Sequence, residues 1–226
     1  MLALKLGLSL VSTPILGGWS PDDETSLVAW YQNAVGITLN GSDVSTWADS
    51  SSNSYDMVQA TATEQPAYSK GVLTFVSADV NNLQTSGANI SLSADFTIGV
   101  KINVTASGGV LLADNTTVGE FIRFTSDTNF RIRIDNTTAV NISKDSGTWL
   151  EDAYMVLTRS SDVLTLYWKG VAQADTETLS GTADIDVIGV QRIDSNPLDA
   201  AIKEIQIYSS SSADLTAKIN DRLAGL

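Results

Sequence analysis

The 226-residue chain contains no cysteine and no histidine. The first absence removes disulfide bonds from its stability and leaves its redox compartment open. The second removes the commonest neutral-pH general base and the commonest transition-metal ligand. Together they exclude Ser-His and Cys-His nucleophile systems. Basic residues are scarce: 13 Lys and Arg stand against 26 Asp and Glu, a net charge of −13. A chain this acidic repels a phosphate backbone, so nucleic acid is not an expected partner. No Gly-rich phosphate loop and no internal repeat occurs.

What is present is alternation. The chain is rich in Ser, Thr, Asn, Asp and Gly, interleaved with Val, Ile and Leu, which points to many short strands and turns. The clearest stretch runs from Trp149 to Ala172. It reads as two strands around a tight turn at Ser160 to Asp162. With an even loop, Leu157 sits opposite Leu166, and Met155, Leu157, Leu164, Leu166 and Trp168 share a buried face. Lys169-Gly170 marks a second turn. Leu92 to Val104 is another strand, with Phe96, Ile98, Val100 and Ile102 in alternation.

Glu120 to Asp135 is more informative. Ile122, Phe124, Phe130, Ile132 and Ile134 share a face only if the turn holds an odd number of residues, such as Thr125 to Asn129. That register gathers Arg123, Arg131 and Arg133 on the opposite face. On so acidic a chain they form the candidate ligand-binding surface, since the guanidinium fork suits carboxylate and sulfate groups. The competing reading is a solvated face neutralised by Asp135, Glu120 or another acid.

The N-terminal residues alternate strictly: Leu2, Leu4, Leu6, Leu8 and Leu10, with Ala3, Lys5, Gly7 and Ser9 between them. Period-two spacing reads as an extended strand that buries one face. We expect residues 1–20 to form an arm and hinge that mediates assembly, and residues 21–226 to form the main domain. A secretory leader is the competing reading; its basic region is Lys5 alone and no small-x-small cleavage site stands out. The run is too short and too broken to span a membrane as a helix. At the other end, Ser211 to Asp214 reads as a capping box with Asp in the Glu position. Leu215, Ile219 and Leu223 then form one stripe of a short helix.

The segment from Trp149 through Val156-Leu157-Thr158-Arg159-Ser160 to Leu164-Thr165-Leu166-Tyr167-Trp168 and Gly170-Val171 resembles the central hairpin of laminin-G-like, concanavalin A-like lectin/glucanase domains. Lys169 departs from the Asp or Asn usual before that Gly. Trp30, Tyr31, Trp47, Asp49, Gln65, Pro66 and Tyr68 resemble the opening of the same domains. Gln32 replaces the usual acid there, and Ser52 or Asn53 stands where Gly is common. Ile202 to Tyr208 resembles the closing strand, so the likeness covers about Ser26 to Ser210.

The resemblance implies an all-β fold: an antiparallel jelly-roll β-sandwich of concanavalin A-like type, with the extended arm in front and the short helix behind. For Trp30 and Trp47, core packing is expected ahead of ligand stacking, since large aromatic side chains are mostly buried. Glucanases of the family resemble one another in a strand motif of paired Glu and Asp residues. This chain offers Asp184 and Asp186, with no Glu on either side, so it is not expected to be an enzyme. Lectin-like sandwiches often hold Ca²⁺ in loops, and Asp194, Asn196 and Asp199 supply oxygens at suitable density, with Asp114 and Asn115 a second candidate. The competing reading for both is Asx turns. No other cofactor is expected.

Lectin-like domain and arm together look like a tailed-phage virion protein: a capsid decoration, head fibre or tail appendage assembled in the host cytoplasm. Expected partners are further copies of the chain or other virion proteins through the arm, and cell-surface glycan. The alternatives are an extracellular or cell-surface carbohydrate-binding lectin domain of a bacterium, and, further off, a polysaccharide hydrolase.

Overall fold

The computed structural model describes residues 18–115, 121–135, 137–191 and 195–226. The leucine-alternating stretch from Leu2 to Leu10 lies outside the described residues. In chain order the strands are β1 (Leu27–Tyr31), β2 (Ile37–Asn40), β3 (Asp43–Trp47), β4 (Met57–Val58), β5 (Ala67–Ser69), β6 (Val72–Phe75), β7 (Leu83–Thr85), β8 (Ile90–Leu92), β9 (Phe96–Val104) and β10 (Val110–Ala113). There follow β11 (Phe121–Phe124), β12 (Asn129–Arg133), β13 (Val140–Ser143), β14 (Asp152–Ser160), β15 (Val163–Trp168), β16 (Val171–Ala172), β17 (Glu177–Thr178), β18 (Ala183–Ile185), β19 (Val187–Ile188) and β20 (Ala200–Tyr208). Helix α1 (Ala213–Ala224) comes last. Every strand pairing is antiparallel, and the architecture is an all-β jelly-roll sandwich.

In one sheet, β20 is flanked by β9 on one side. On the other it is flanked by β6 near its start and β1 near its end. β14 and β15 continue outward from β9. The second sheet runs β13, β12, β11, β10, β19, β7, β4, β3, β2. β5 links the two by pairing with both β3 and β6.

Between the sheets lies one apolar core, to which Met155, Leu157, Leu164, Leu166, Trp168, Ile205 and Ile207 contribute as the parity predicts. Trp47 is fully buried beside Tyr31, with ring centroids 5.6 Å apart, and Trp30 is buried too. Phe124, Phe130, Trp149 and Trp168 meet edge to face at one end of this core. The Lys144 ammonium caps them at 4.8 and 4.6 Å from the two indole rings and pairs with Glu151.

Turn chemistry fixes the central hairpin. Leu157 pairs with Leu166 across a two-residue loop, Ser161-Asp162, in which both residues have positive φ (50° and 65°). That conformation matches the right-handed twist of the flanking strands. Lys169-Gly170 repeats it, with φ of 50° and 78°. Lys169 adopts the left-handed region without an Asn or Asp side chain, and its ammonium pairs with Glu151.

Two features of the C-terminal part depart from simple alternation. The run from Ile185 to Val190 is not one strand, because the chain bends at Asp186. β18 pairs with β8, while β19 joins β10 and β7. The bend turns the Asp186 carboxylate toward the Asn115 amide, which donates to it at 2.7 Å. At the helix, the N-cap is Ser212 rather than Ser211, and its hydroxyl accepts from the Leu215 amide. Asp214 therefore does not close a capping box; it pairs with Lys218 one turn on. Leu215, Ile219 and Leu223 are buried against Val156 and Tyr208, so α1 covers the outer face of the β20 sheet.

Candidate functional site: the arginine face

The odd loop predicted between β11 and β12 is present. Ile122 pairs with Ile132, Arg123 with Arg131 and Phe124 with Phe130, so the five residues Thr125 to Asn129 close the turn. The apolar set faces the core and the arginines face outward. Arg123 and Arg131 stand directly opposite one another, where Cβ atoms lie about 4.5–5.5 Å apart. Arg133 stands opposite Phe121 on the same ladder.

Each guanidinium is held at one edge. Arg123 Nε donates to the Gly108 carbonyl at 2.9 Å, Arg131 Nε to Asn141 Oδ1 at 2.9 Å, and Arg133 Nε to the Thr137 carbonyl at 2.8 Å. These contacts hold the Nε edges of the guanidinium groups, and among the described residues no hydrogen bond is made by the far edges of Arg123 and Arg131. Among the described residues, no carboxylate forms an ion pair with Arg123 or Arg131. Desolvation, and then the Arg131 charge, lower the Arg123 pKa from its ordinary value. Two like charges in register are an arrangement that an anion between them would relieve.

The predicted neutraliser Asp135 is committed elsewhere. It sits at positive φ, and its carboxylate accepts from the Thr182 amide. The remaining predicted neutraliser, Glu120, lies outside the described residues. Sequence reasoning missed Asn141. It pairs with Arg131 on β13 and extends the polar row to three strands. The signal was the Val-Asn-Ile-Ser alternation of residues 140–143, which places Ile142 in the core and Asn141 outward.

Of the predicted calcium ligands, Asn196 and Asp199 are among the described residues. Asn196 lies in a left-handed turn whose carbonyl accepts from the Val110 amide. Asp199 uses Oδ1 to accept from the Ser77 amide at 2.8 Å. Asp194 lies outside the described residues. Asp114 is buried, and Asn115 spends its amide on Asp186. Among the described residues no cluster of three or more Asp or Glu is placed to hold a metal ion.

Of the acid pair, Asp184 lies on β18 while Asp186 is 9% exposed beyond its end. Burial, offset in part by the Asn115 amide, raises the Asp186 pKa from its ordinary value. Asp49, part of the family-like opening, is a structural pin: it accepts from the amides of Trp30, Ser51 and Tyr55 and ties the following loop to β1.

No protein-family model matches the sequence, and no curated protein sequence matches it. Solved structures do match in fold. The binding domain of Paraclostridial Mosquitocidal Protein 1 is similar over 91% of this chain and 53% of its own, at 14% identity and a TM-score of 0.62. The ligand-binding domain of botulinum neurotoxin serotype D, solved with N-acetylneuraminic acid, is similar over 88% and 51%, at 12% identity and a TM-score of 0.54. Trypanosoma rangeli sialidase is similar over 88% of this chain and 33% of its own, at 12% identity and a TM-score of 0.55. The chain thus spans about half, or a third, of these proteins. At such identities the likeness is one of fold, and it agrees with the all-β sandwich expected from the sequence.

Proposed function

We propose that the chain is a non-enzymatic adhesion module whose arginine face attaches to acidic surface glycans. The observation that carries this is the cross-strand pair Arg123 and Arg131, in register on a face that, among the described residues, has neither a covering element nor a carboxylate partner. Guanidinium groups present paired donors that match carboxylate or sulfate oxygens. On a chain of net charge −13, a local cationic row also draws an acidic ligand to one place. Support of a general kind comes from a similar fold in a toxin domain solved with a sialic acid. We further place this module in a tailed-phage virion, as a decoration, fibre or appendage, with the Leu2 to Leu10 stretch as the assembly arm. That placement rests on the sequence pattern.

The test is binding of dextran sulfate to the wild type and to an Arg123→Ala/Arg131→Ala variant, with uncharged dextran as control. The wild type should bind the sulfated polymer at low ionic strength and lose it as salt rises, because screening shortens the reach of exposed charges. At low ionic strength the variant should bind about tenfold or more weakly, and the difference should close as salt rises. Equal binding by both proteins, or none at any salt, overturns the proposal.

A further inference from the structure

Helix α1 does not cover the whole outer face of the β20 sheet. Beside it, where β14 and β15 emerge, lies a groove of about 380 Å³. That is within the range of about 300–1,000 Å³ common for small-molecule sites. Tyr154 and Tyr167 form its floor on the sheet, Gly170 sits at its mouth, and Thr216, Asn220 and Asp221 form the wall from the helix. The placement follows from two periodicities. Tyr167 pairs with Val156, so both tyrosines share the outward parity of the hairpin. Positions 216 and 220 are one turn apart on α1, with 217 and 221 beside them.

Of the polar groups here, the Thr216 hydroxyl donates to the Ser212 carbonyl, and the others lack protein partners among the described residues. Asn220 Oδ1 is buried with no hydrogen-bond partner. Among the described residues, nothing accepts from or donates to the Tyr154 and Tyr167 hydroxyls, and nothing pairs with the Asp221 carboxylate. A buried unpaired acceptor costs free energy that a ligand hydroxyl would recover. At Gly170 a Cβ would make only an ordinary contact with the Tyr154 hydroxyl, at 3.5 Å; its φ of +78° is what disfavours a side chain there.

We propose that this groove is a binding site for a short uncharged saccharide, distinct from the arginine face. The chemistry selects the class. Phenol rings offer apolar faces on which the C–H face of a pyranose lies, with a polar tip at the edge. An amide and a carboxylate beside them bond the ring hydroxyls, as few well-placed polar groups do in apolar sites. No cation lines the groove, and Asp221 repels anions, so an acidic sugar is disfavoured. The site goes beyond the arginine-face proposal and does not depend on it.

The experiment titrates the full ¹⁵N-labelled chain with cellobiose, lactose and N,N′-diacetylchitobiose, following the Asn220 side-chain amide and the amides around Tyr167 and Gly170. At least one of them should give saturable shifts confined to this groove. Tyr167→Ala, and separately Asn220→Ala, should weaken binding about tenfold, as loss of a central contact does. The Arg123→Ala/Arg131→Ala variant should bind unchanged. No saturable shift with any of the three sugars overturns the site, as does binding that both groove variants retain. Shifts that depend on protein concentration alone would also overturn it, by assigning the groove to a second copy of the chain.

Discussion

The two outer faces of the sandwich are built differently. On the β20 sheet, the outward residues include Thr97, Gly99, Val156 and Tyr208, and helix α1 lies on them. On the other sheet, the outward row of β11 to β13 is Arg123, Arg131 and Asn141, and among the described residues no element covers it. The contrast shows what decides whether a face is closed. The covered face has a glycine where the helix comes nearest: a Cβ at Gly99 would meet Ile219 Cγ2 at 2.4 Å. It also has a charge that only the helix completes. Glu204 is fully buried and accepts from Trp30 Nε1, Gln206 Nε2, the Asn33 amide and Arg222 of α1. The open face has long, hydrated side chains that cost more to bury than a helix returns.

The sharpest way to break the covered face is Arg222→Ala. Removing one partner of a buried ion pair leaves the other charge uncompensated, and such changes cost about 3–5 kcal/mol. Denaturant unfolding should show that loss in the midpoint. A loss below about 1 kcal/mol would mean that the other donors to Glu204 suffice. Gly99→Ala tests the close approach instead. Overpacking of this kind costs about 1–3 kcal/mol, and hydrogen exchange should rise in α1 while the β11–β12 hairpin stays protected. Uniform loss across both sheets would contradict a local seat for the helix.

A smaller effect is expected at Glu151, at the end of the β14–β15 hairpin. Burial opposes its charge, but hydrogen bonds from Lys169, Trp168 and Lys144 prevail and hold its pKa at about 2, below the carboxylate value of 4.5. A depressed carboxylate contributes stability above its unfolded pKa and loses it as pH falls through the folded one. The stability gap between wild type and Glu151→Gln should therefore be full above about pH 4.5. It should close as pH falls toward 2, where thermal melts of the two proteins converge. Because the side chain is partly exposed, screening keeps the gap modest. The smallest change belongs to the open face: Arg123→Ala should shift stability by no more than about 0.5 kcal/mol, since it removes a like-charge contact and a single carbonyl bond.

The sheets were largely legible in the sequence because strands announce themselves by parity. Leu157 opposite Leu166, and Arg123 opposite Arg131, both follow from counting residues around a turn. What parity cannot reveal is what a second element does to an outward face. Thr97 and Gly99 alternate with core residues and read as solvent-facing, yet Thr97 is fully buried and donates to the Ser210 carbonyl, and Gly99 lies under Ile219 of α1, which arrives from far along the chain. The bend at Asp186 was hidden for a similar reason, since the carboxylate's partner, the Asn115 amide, belongs to a distant turn. The groove had no sequence signature: Tyr154 and Tyr167 meet Asn220 and Asp221 only where helix and sheet diverge.

The position of β20 has a kinetic consequence. It is the last strand in sequence but lies between β9 and both β1 and β6. Trp30 and its partner Glu204 are 174 positions apart. Neither β1 nor β6 can join the sheet of β9 until residues 200–208 have been synthesised and inserted between them. Closing loops of this length precedes the reward from the contacts they bring, so topology alone makes folding slow. On the ribosome, the sheet that carries α1 remains an open edge until nearly all of the described sequence has emerged, whereas the β11–β12–β13 meander with its arginine row is free to form early from contacts close in sequence.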